Sequence, residues 1–226
     1  MGKSDIGNNV GLVAVRRLAR KLDPEPGHAF QVCRNALELF DATRSLHGLG
    51  RPARRLLGAA ALLHDIGHTI DVVGHHKHSR DLILNMELPE FTRREKCIVA
   101  CVARYHRKAH PSSSHATFCD LKDRDRRLVE MLAAILRIAD GLDRSHRASC
   151  RHVRVRQDDT QVAVIVDQRK PNPTDIWGAV RKRRLFEDVF HVKVVIQASS
   201  EALPRPKETL RRYISSPDER HARGFA

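Results

Sequence analysis

Apolar residues recur at helical spacing through the first two thirds of the chain. Val10, Val13, Leu18 and Leu22, with basic residues between them, mark an amphipathic helix that Asp23-Pro24-Glu25-Pro26-Gly27 breaks. His28 opens a second helix, whose packing stripe is Val32, Ala36, Leu37, Leu39 and Phe40 and which ends near Asp41. Pro52 suits the first turn of a third, because its ring replaces an N–H that would have no partner inside the helix. That helix turns Leu56, Leu57, Ala60, Ala61 and Leu63 inward and runs into His64-Asp65-Ile66-Gly67-His68, where Gly67 supplies a stop signal. His75-His76-Lys77-His78-Ser79 leads into a helix carrying Leu82, Ile83 and Met86, closed by Pro89. Another follows from Phe91-Thr92, with Ile98, Val99, Val102 and Ala103 inward and Tyr105-His106-Arg107-Lys108 at its exit. Residues 109–120, with Pro111 and three consecutive serines, read as a loop. Asp123 or Asp125 then begins the longest pattern, Leu128, Met131, Leu132, Ile135, Leu136 and Ile138, which arrives at Asp140-Gly141.

The periodicity changes near residue 150. His152 to Arg156 and Val162 to Val166 flank Asp158-Asp159-Thr160 as a hairpin, a helix runs from about Thr174 to Val189, and Val192 to Ile196 reads as a third strand. The expected fold is therefore mainly α, a helical bundle followed by a small ββαβ (α+β) unit. Its boundaries are a flexible N-terminus at 1–9, the helices at 10–149, the α+β unit at 150–198 and a disordered tail at 199–226.

Composition narrows the functional class. The 226 residues are 41% hydrophobic and only 4% aromatic, which suits an aliphatic helical core. No apolar run is long enough to span a membrane and no leader is evident, so the expected location is the cytoplasm. The five cysteines, at 33, 97, 101, 119 and 150, are scattered and odd in number, which argues against a disulfide framework and for a reducing compartment, and Cys97 and Cys101, four apart, read as buried thiols packing as small hydrophobes. A formal net charge of +14 favours polyanionic partners: a phosphorylated small molecule, a nucleotide, polyphosphate or nucleic acid. No nucleic-acid motif and almost no aromatic stacking platform accompanies that charge, so nucleic acid is the least supported of these. Exposed helix faces are compatible with a homodimer.

The chemistry-bearing residues are His28, His64, Asp65, His78, His106 and Asp140, which stand in helices or at helix ends. A helix-closing role is the plainer account of His64 and Asp65 taken alone, and a lone carboxylate at Asp140 would bear a desolvation cost. Together His28, His64, Asp65 and Asp140 give a mixed imidazole and carboxylate set, and Asp65 is placed to bridge to a second ion held by His78 and His106. Such ligands suit one or two catalytic ions of manganese, magnesium, iron or zinc. Arg107 and Lys108 follow His106 and would pair with phosphate oxygens, although basic residues at a helix C-terminus are also favoured by the helix dipole. Lys77, His75 and Arg144 are second choices for contact with substrate, as is His68.

His28, then Leu63-His64-Asp65-Ile66-Gly67, then Asp140 resembles the signature of the HD superfamily of metal-dependent phosphohydrolases. The His64-Asp65-Ile66-Gly67, His75-His76-Lys77-His78-Ser79, Tyr105-His106-Arg107-Lys108 and Leu136-to-Ser145 stretches are more closely similar to the C-terminal HD region of exopolyphosphatase and guanosine pentaphosphate phosphatase proteins, over roughly residues 10–197. The resemblance implies an HD-type phosphatase or phosphodiesterase acting on a nucleotide or other phosphoanhydride or phosphoester. Its cations would polarise a phosphoryl oxygen and lower the pKa of the attacking water, without a protein nucleophile. In that family the established phosphatase site lies in an N-terminal actin-like domain outside these residues. The HD site is accordingly expected to act alone, or to bind metal and a phosphorylated ligand as a regulatory module.

Overall fold

A computed structural model describes residues 12–199. The expected flexible N-terminus and, apart from Ser199, the expected tail lie outside them. The helical part is α1 (Val13–Leu22), α2 (Pro26–Ala42), α3 (Arg44–His47), α4 (Arg51–Leu63), a 3-10 turn (Ile66–Thr69), α5 (His75–Asn85), α6 (Arg93–Arg104), α7 (Ala116–Cys119) and α8 (Asp123–Gly141). After it come β1 (Cys150–Gln157), β2 (Gln161–Gln168), α9 (Pro173–Lys182), α10 (Arg184–Phe190) and β3 (Lys193–Ala198). The mainly α architecture with a small terminal sheet is as the patterning predicts.

α4 occupies the centre, between α2 and α6, and also touches α1 and α8. Every residue from Leu56 to Leu63 is buried, which small side chains at Gly58, Ala59, Ala60 and Ala61 permit. A Cβ added at Gly58 would come within 2.8 Å of Leu12 Cδ1, so α1 crosses here at the contact limit. α6 starts on a capping box: Thr92 accepts from the Glu95 N–H while the Glu95 carboxylate accepts from the Thr92 N–H.

In the sheet β1 and β2 are antiparallel, with Val153 opposite Val166 and Val155 opposite Val164. β2 and β3 are parallel, with Val164 opposite Ile196, so α9 and α10 form the crossover that parallel pairing requires. The single helix expected over 174–189 is two helices that meet at Arg183. The apolar core is continuous from Val15 on α1 through Leu132 on α8 to Phe186 and Ile196. Among the described residues no helix is long and apolar enough to cross a membrane.

Gly67 does not act as a helix stop. α4 ends at Leu63, and Gly67 lies inside the 3-10 turn without a left-handed conformation. Its missing side chain is needed for contact: a Cβ there would lie 2.1 Å from the His75 carbonyl oxygen and 2.5 Å from the Ser79 nitrogen. The Gly67 N–H donates to Ser79 Oγ at 2.9 Å, which fixes the first turn of α5 against the turn that bears Asp65.

Candidate metal centre

Five pieces of chain end at one place. His28 lies in the first turn of α2, His64 caps α4, Asp65 precedes the 3-10 turn, His75 is the first residue of α5, His106 follows α6 and Asp140 is in the last turn of α8. All six are buried. The two Asp65 oxygens face different partners. Oδ2 lies 3.4 Å from His64 Nε2, 3.7 Å from His28 Nε2 and 3.8 Å from His68 Nε2. Oδ1 lies 3.3 Å from His75 Nε2 and 3.4 Å from His106 Nε2. Asp140 Oδ1 closes the group 3.5 Å from His28 Nε2.

The imidazoles are aimed from behind. His64 Nδ1 donates to the Ala61 carbonyl at 2.8 Å, His106 Nδ1 to Ala103 at 2.7 Å and His75 Nδ1 to Val72 at 3.0 Å. His28 Nδ1 donates to Asp143 Oδ2 at 2.9 Å. Each bond leaves the Nε2 lone pair directed at the cluster, the arrangement by which proteins orient histidine ligands. His64 Nε2 and Asp65 Oδ1 are nevertheless buried without a hydrogen-bond partner. Orphaned buried acceptors cost about 1–3 kcal/mol each, and a cation is what two of them converging with further Nε2 atoms would satisfy. Three overlapping sets have ligand atoms close enough to share an ion: His28, His64 and Asp140; His64, Asp65 and His106; and Asp65, His68 and His75. Nitrogen and oxygen donors without thiolate fit a catalytic divalent ion.

Electrostatics follow from the same geometry. Burial opposes the charge of Asp65, but His64, His75 and His106 overcome it and hold the carboxyl well below its usual range. Burial likewise opposes charge on Asp140, where Lys182 is the strongest counter-influence, and its pKa is also held well below the ordinary value. His28 is driven down by burial but more strongly up by Asp140, Asp143 and Asp65, and reaches about 10. His106, fully buried, is pushed well below its usual value despite the attraction of Asp65.

The sequence-derived ligands His28, His64, Asp65, His106 and Asp140 are brought together, and His78 is not: it belongs to none of the three ligand sets among the described residues. His75 and His78 are three apart on one helix, and it is the first residue of α5 that points at Asp65. The His78 Cβ sits 2.9 Å from where a Gly67 Cβ would be, packed against the turn. His75, expected near substrate, thus stands among the candidate ligands, and so does His68, whose ring lies tilted against it with centroids 3.8 Å apart. Arg107 reaches the rim, with Nη1 3.2 Å from His75 Nε2. Beside it opens a cavity of about 460 Å³ lined by His76, Lys77, Arg104, Tyr105, Arg107, Lys108, Ala109 and His115, with no carboxylate. Burial and the neighbouring His75, Arg107, Arg104 and Lys77 lower His76 to about 4. Buried Arg137 shapes this wall by donating to the carbonyls of Tyr105 at 2.9 Å and Lys108 at 3.3 Å. Arg144 is exposed, with its stem over Gly178 on α9. An apolar cavity of about 380 Å³ between Leu56 and Met131 shares no residue with the cluster.

Four groups near the site carry no role in the sequence reading. Asp143 holds His28. His146 stacks on the His28 ring at 3.9 Å, nearly parallel, and its Nδ1 contacts Glu25. Asp23 is buried with Oδ2 unpartnered, and burial raises its pKa. Lys182 Nζ bonds Asp140 Oδ2. Asp143 alone had a local signal, as a carboxylate one turn beyond Asp140; Lys182 is hidden in the basic run Arg181 to Arg184.

Known proteins resemble parts of this chain. A guanosine-5'-triphosphate,3'-diphosphate pyrophosphatase of Pseudoalteromonas translucida is 34% identical over 84 residues, 37% of this chain and 16% of the relative. One from Vibrio vulnificus is 35% identical over 89 residues, 39% of this chain and 18% of the relative. The chain thus matches under a fifth of the length of either. The family described as Ppx/GppA phosphatase, domain III, matches residues 11–170, which include every residue of the buried histidine and aspartate cluster, and the chain belongs to that family.

Proposed function

We propose that this chain is an HD-type, metal-dependent phosphohydrolase whose substrate is a nucleotide or another phosphoanhydride or phosphoester. The observation that carries the reading is the pair of unpartnered buried atoms, His64 Nε2 and Asp65 Oδ1, at the focus of imidazoles fixed from behind. His28, His64 and Asp140 would hold one ion, and Asp65 with His68 and His75, or with His64 and His106, a second. Bound there, divalent ions supply polarisation of a phosphoryl oxygen and a lowered pKa for water. Arg107 at the rim offers a planar, permanently charged fork to phosphate oxygens. Lys77, Lys108 and Arg104 extend the positive wall along the adjoining cavity, which suits a ligand with more than one phosphoryl group. His28 has its ring locked by Asp143 and covered by His146, so it stays a ligand and is not free to shuttle protons to substrate.

The names of the two relatives, both pyrophosphatases of a guanosine polyphosphate, support a phosphoanhydride. The test is phosphate release by manganese-loaded protein from a panel of nucleotides and short polyphosphates. Activity is expected on at least one member, abolished by Asp65→Ala and by chelation; release that survives Asp65→Ala refutes the proposal. Because the family match is to one domain of longer phosphatases, the second reading is a module that binds metal and a phosphorylated ligand without turnover. Metal-dependent nucleotide binding with no release over hours would establish it instead.

A further inference from the structure

We propose that Lys182, delivered by α9, is a phosphate-binding residue of the metal centre, so that the segment after the helices completes the site. The inference deepens the phosphohydrolase reading and rests on it for the identity of the ligand.

Asp140 is shared: Oδ1 faces His28 Nε2 at 3.5 Å, and Oδ2 meets the Lys182 ammonium. Lys182 therefore stands at the edge of a ligand set with its side chain 20% exposed, where the remaining ammonium protons can reach an incoming oxyanion. A stapling role for this ion pair would be redundant, because α9 is already fixed to α8 and to the loop that follows it in two other ways. The first is backbone contact. A Cβ at Gly141 would lie 2.5 Å from Ala179 Cα, and one at Gly178 would lie 2.7 Å from the Gly141 carbonyl oxygen. The second is Asp175, fully buried, which accepts from the Ser145 N–H at 2.8 Å, from Ser145 Oγ at 3.2 Å and from Ser149 Oγ. Gly141 follows Asp140 directly, and Lys182 lies one helical turn past Gly178 on the same face. The glycine crossing thus sets the register that brings the ammonium to Asp140. A cation held beside metal ligands repels the metal and attracts a phosphate oxygen, which is a substrate-binding arrangement and works against metal affinity.

The test uses the full chain and calorimetric titration with Mn²⁺, then with inorganic phosphate on the manganese-loaded protein. Lys182→Met is expected to bind Mn²⁺ at least as tightly as the parent and phosphate about tenfold more weakly. Lys182→Arg, which keeps the charge, should recover most of the phosphate affinity. Gly178→Ala, which displaces α9 with Lys182 intact, should weaken phosphate like Lys182→Met. Unchanged phosphate affinity in Lys182→Met overturns the proposal, whether or not the variant melts earlier, and so does a Lys182→Met that loses manganese. Failure of the parent to bind Mn²⁺ overturns both this and the metal reading. Absence of turnover on every substrate removes only the hydrolase reading, since these titrations need none.

Discussion

Gly67→Ala is the most demanding test of how the fold makes the site. The added Cβ would stand 2.1 Å from the His75 carbonyl oxygen, where about 3.0 Å is the practical limit, so that oxygen must retreat by about 0.9 Å. The obstacle is backbone, and Ser79 N at 2.5 Å blocks the neighbouring direction. Relief therefore requires the first turn of α5 to move as a unit. Overpacking of this kind costs about 1–3 kcal/mol, and losing the Gly67 N–H bond to Ser79 Oγ adds about 1 kcal/mol, so about 2–4 kcal/mol of stability should go. The same shift carries His75 away from Asp65 Oδ1, now 3.3 Å distant. Manganese affinity at the Asp65 side should fall about 10–100-fold, while the His28, His64 and Asp140 side is retained. Urea denaturation reads the first effect and calorimetric stoichiometry the second. Gly27→Ala is the control: nothing lies within 4 Å of its Cβ, and the position is helical, so stability should hold or rise by up to about 1 kcal/mol. A Gly67→Ala protein with parental stability and stoichiometry would refute the account of α5 docking.

The remaining predictions concern the ligands. His28, raised to about 10, carries a proton across the neutral range in the metal-free protein, and metal must displace it. Apparent Mn²⁺ affinity should therefore climb at least about tenfold per pH unit between pH 7 and 9, with about one proton or more released per ion in calorimetry across buffers; a flat profile contradicts the geometry around His28. In the metal-free protein the same group stabilises the fold fully below about 6.5 and loses that contribution as pH rises through about 10, which pH-dependent denaturation would show. Asp143→Asn should weaken manganese about 10–100-fold through loss of the oriented His28 tautomer, with the fold kept, as read by titration and circular dichroism.

What the sequence made legible depended on whether the information was local. The apolar face of α4 and the His64-Asp65 pair at its end are adjacent in the chain, and helical spacing shows them directly. The α8 pattern likewise leads to Asp140. Meetings between distant segments are not encoded in periodicity. Lys182 lies 42 residues beyond Asp140 in a run of four basic residues that reads as a solvated face, and only the Gly141–Gly178 crossing turns one of them inward. His75 and His78 are equally good candidates on paper, separated only by how α5 seats on Gly67. The break at Arg183 in the expected 174–189 helix leaves no apolar signature, because both halves keep the same buried stripe through Ala179, Leu185 and Phe186.

The central claim is that this cluster holds catalytic divalent ions, and metal analysis of the purified chain addresses it most directly. Elemental analysis after dialysis against Mn²⁺ and removal of free metal should find one to two ions per chain in the parent protein and a loss of at least one in Asp65→Ala. A parent protein that retains no ion under those conditions, while remaining folded, would contradict the account.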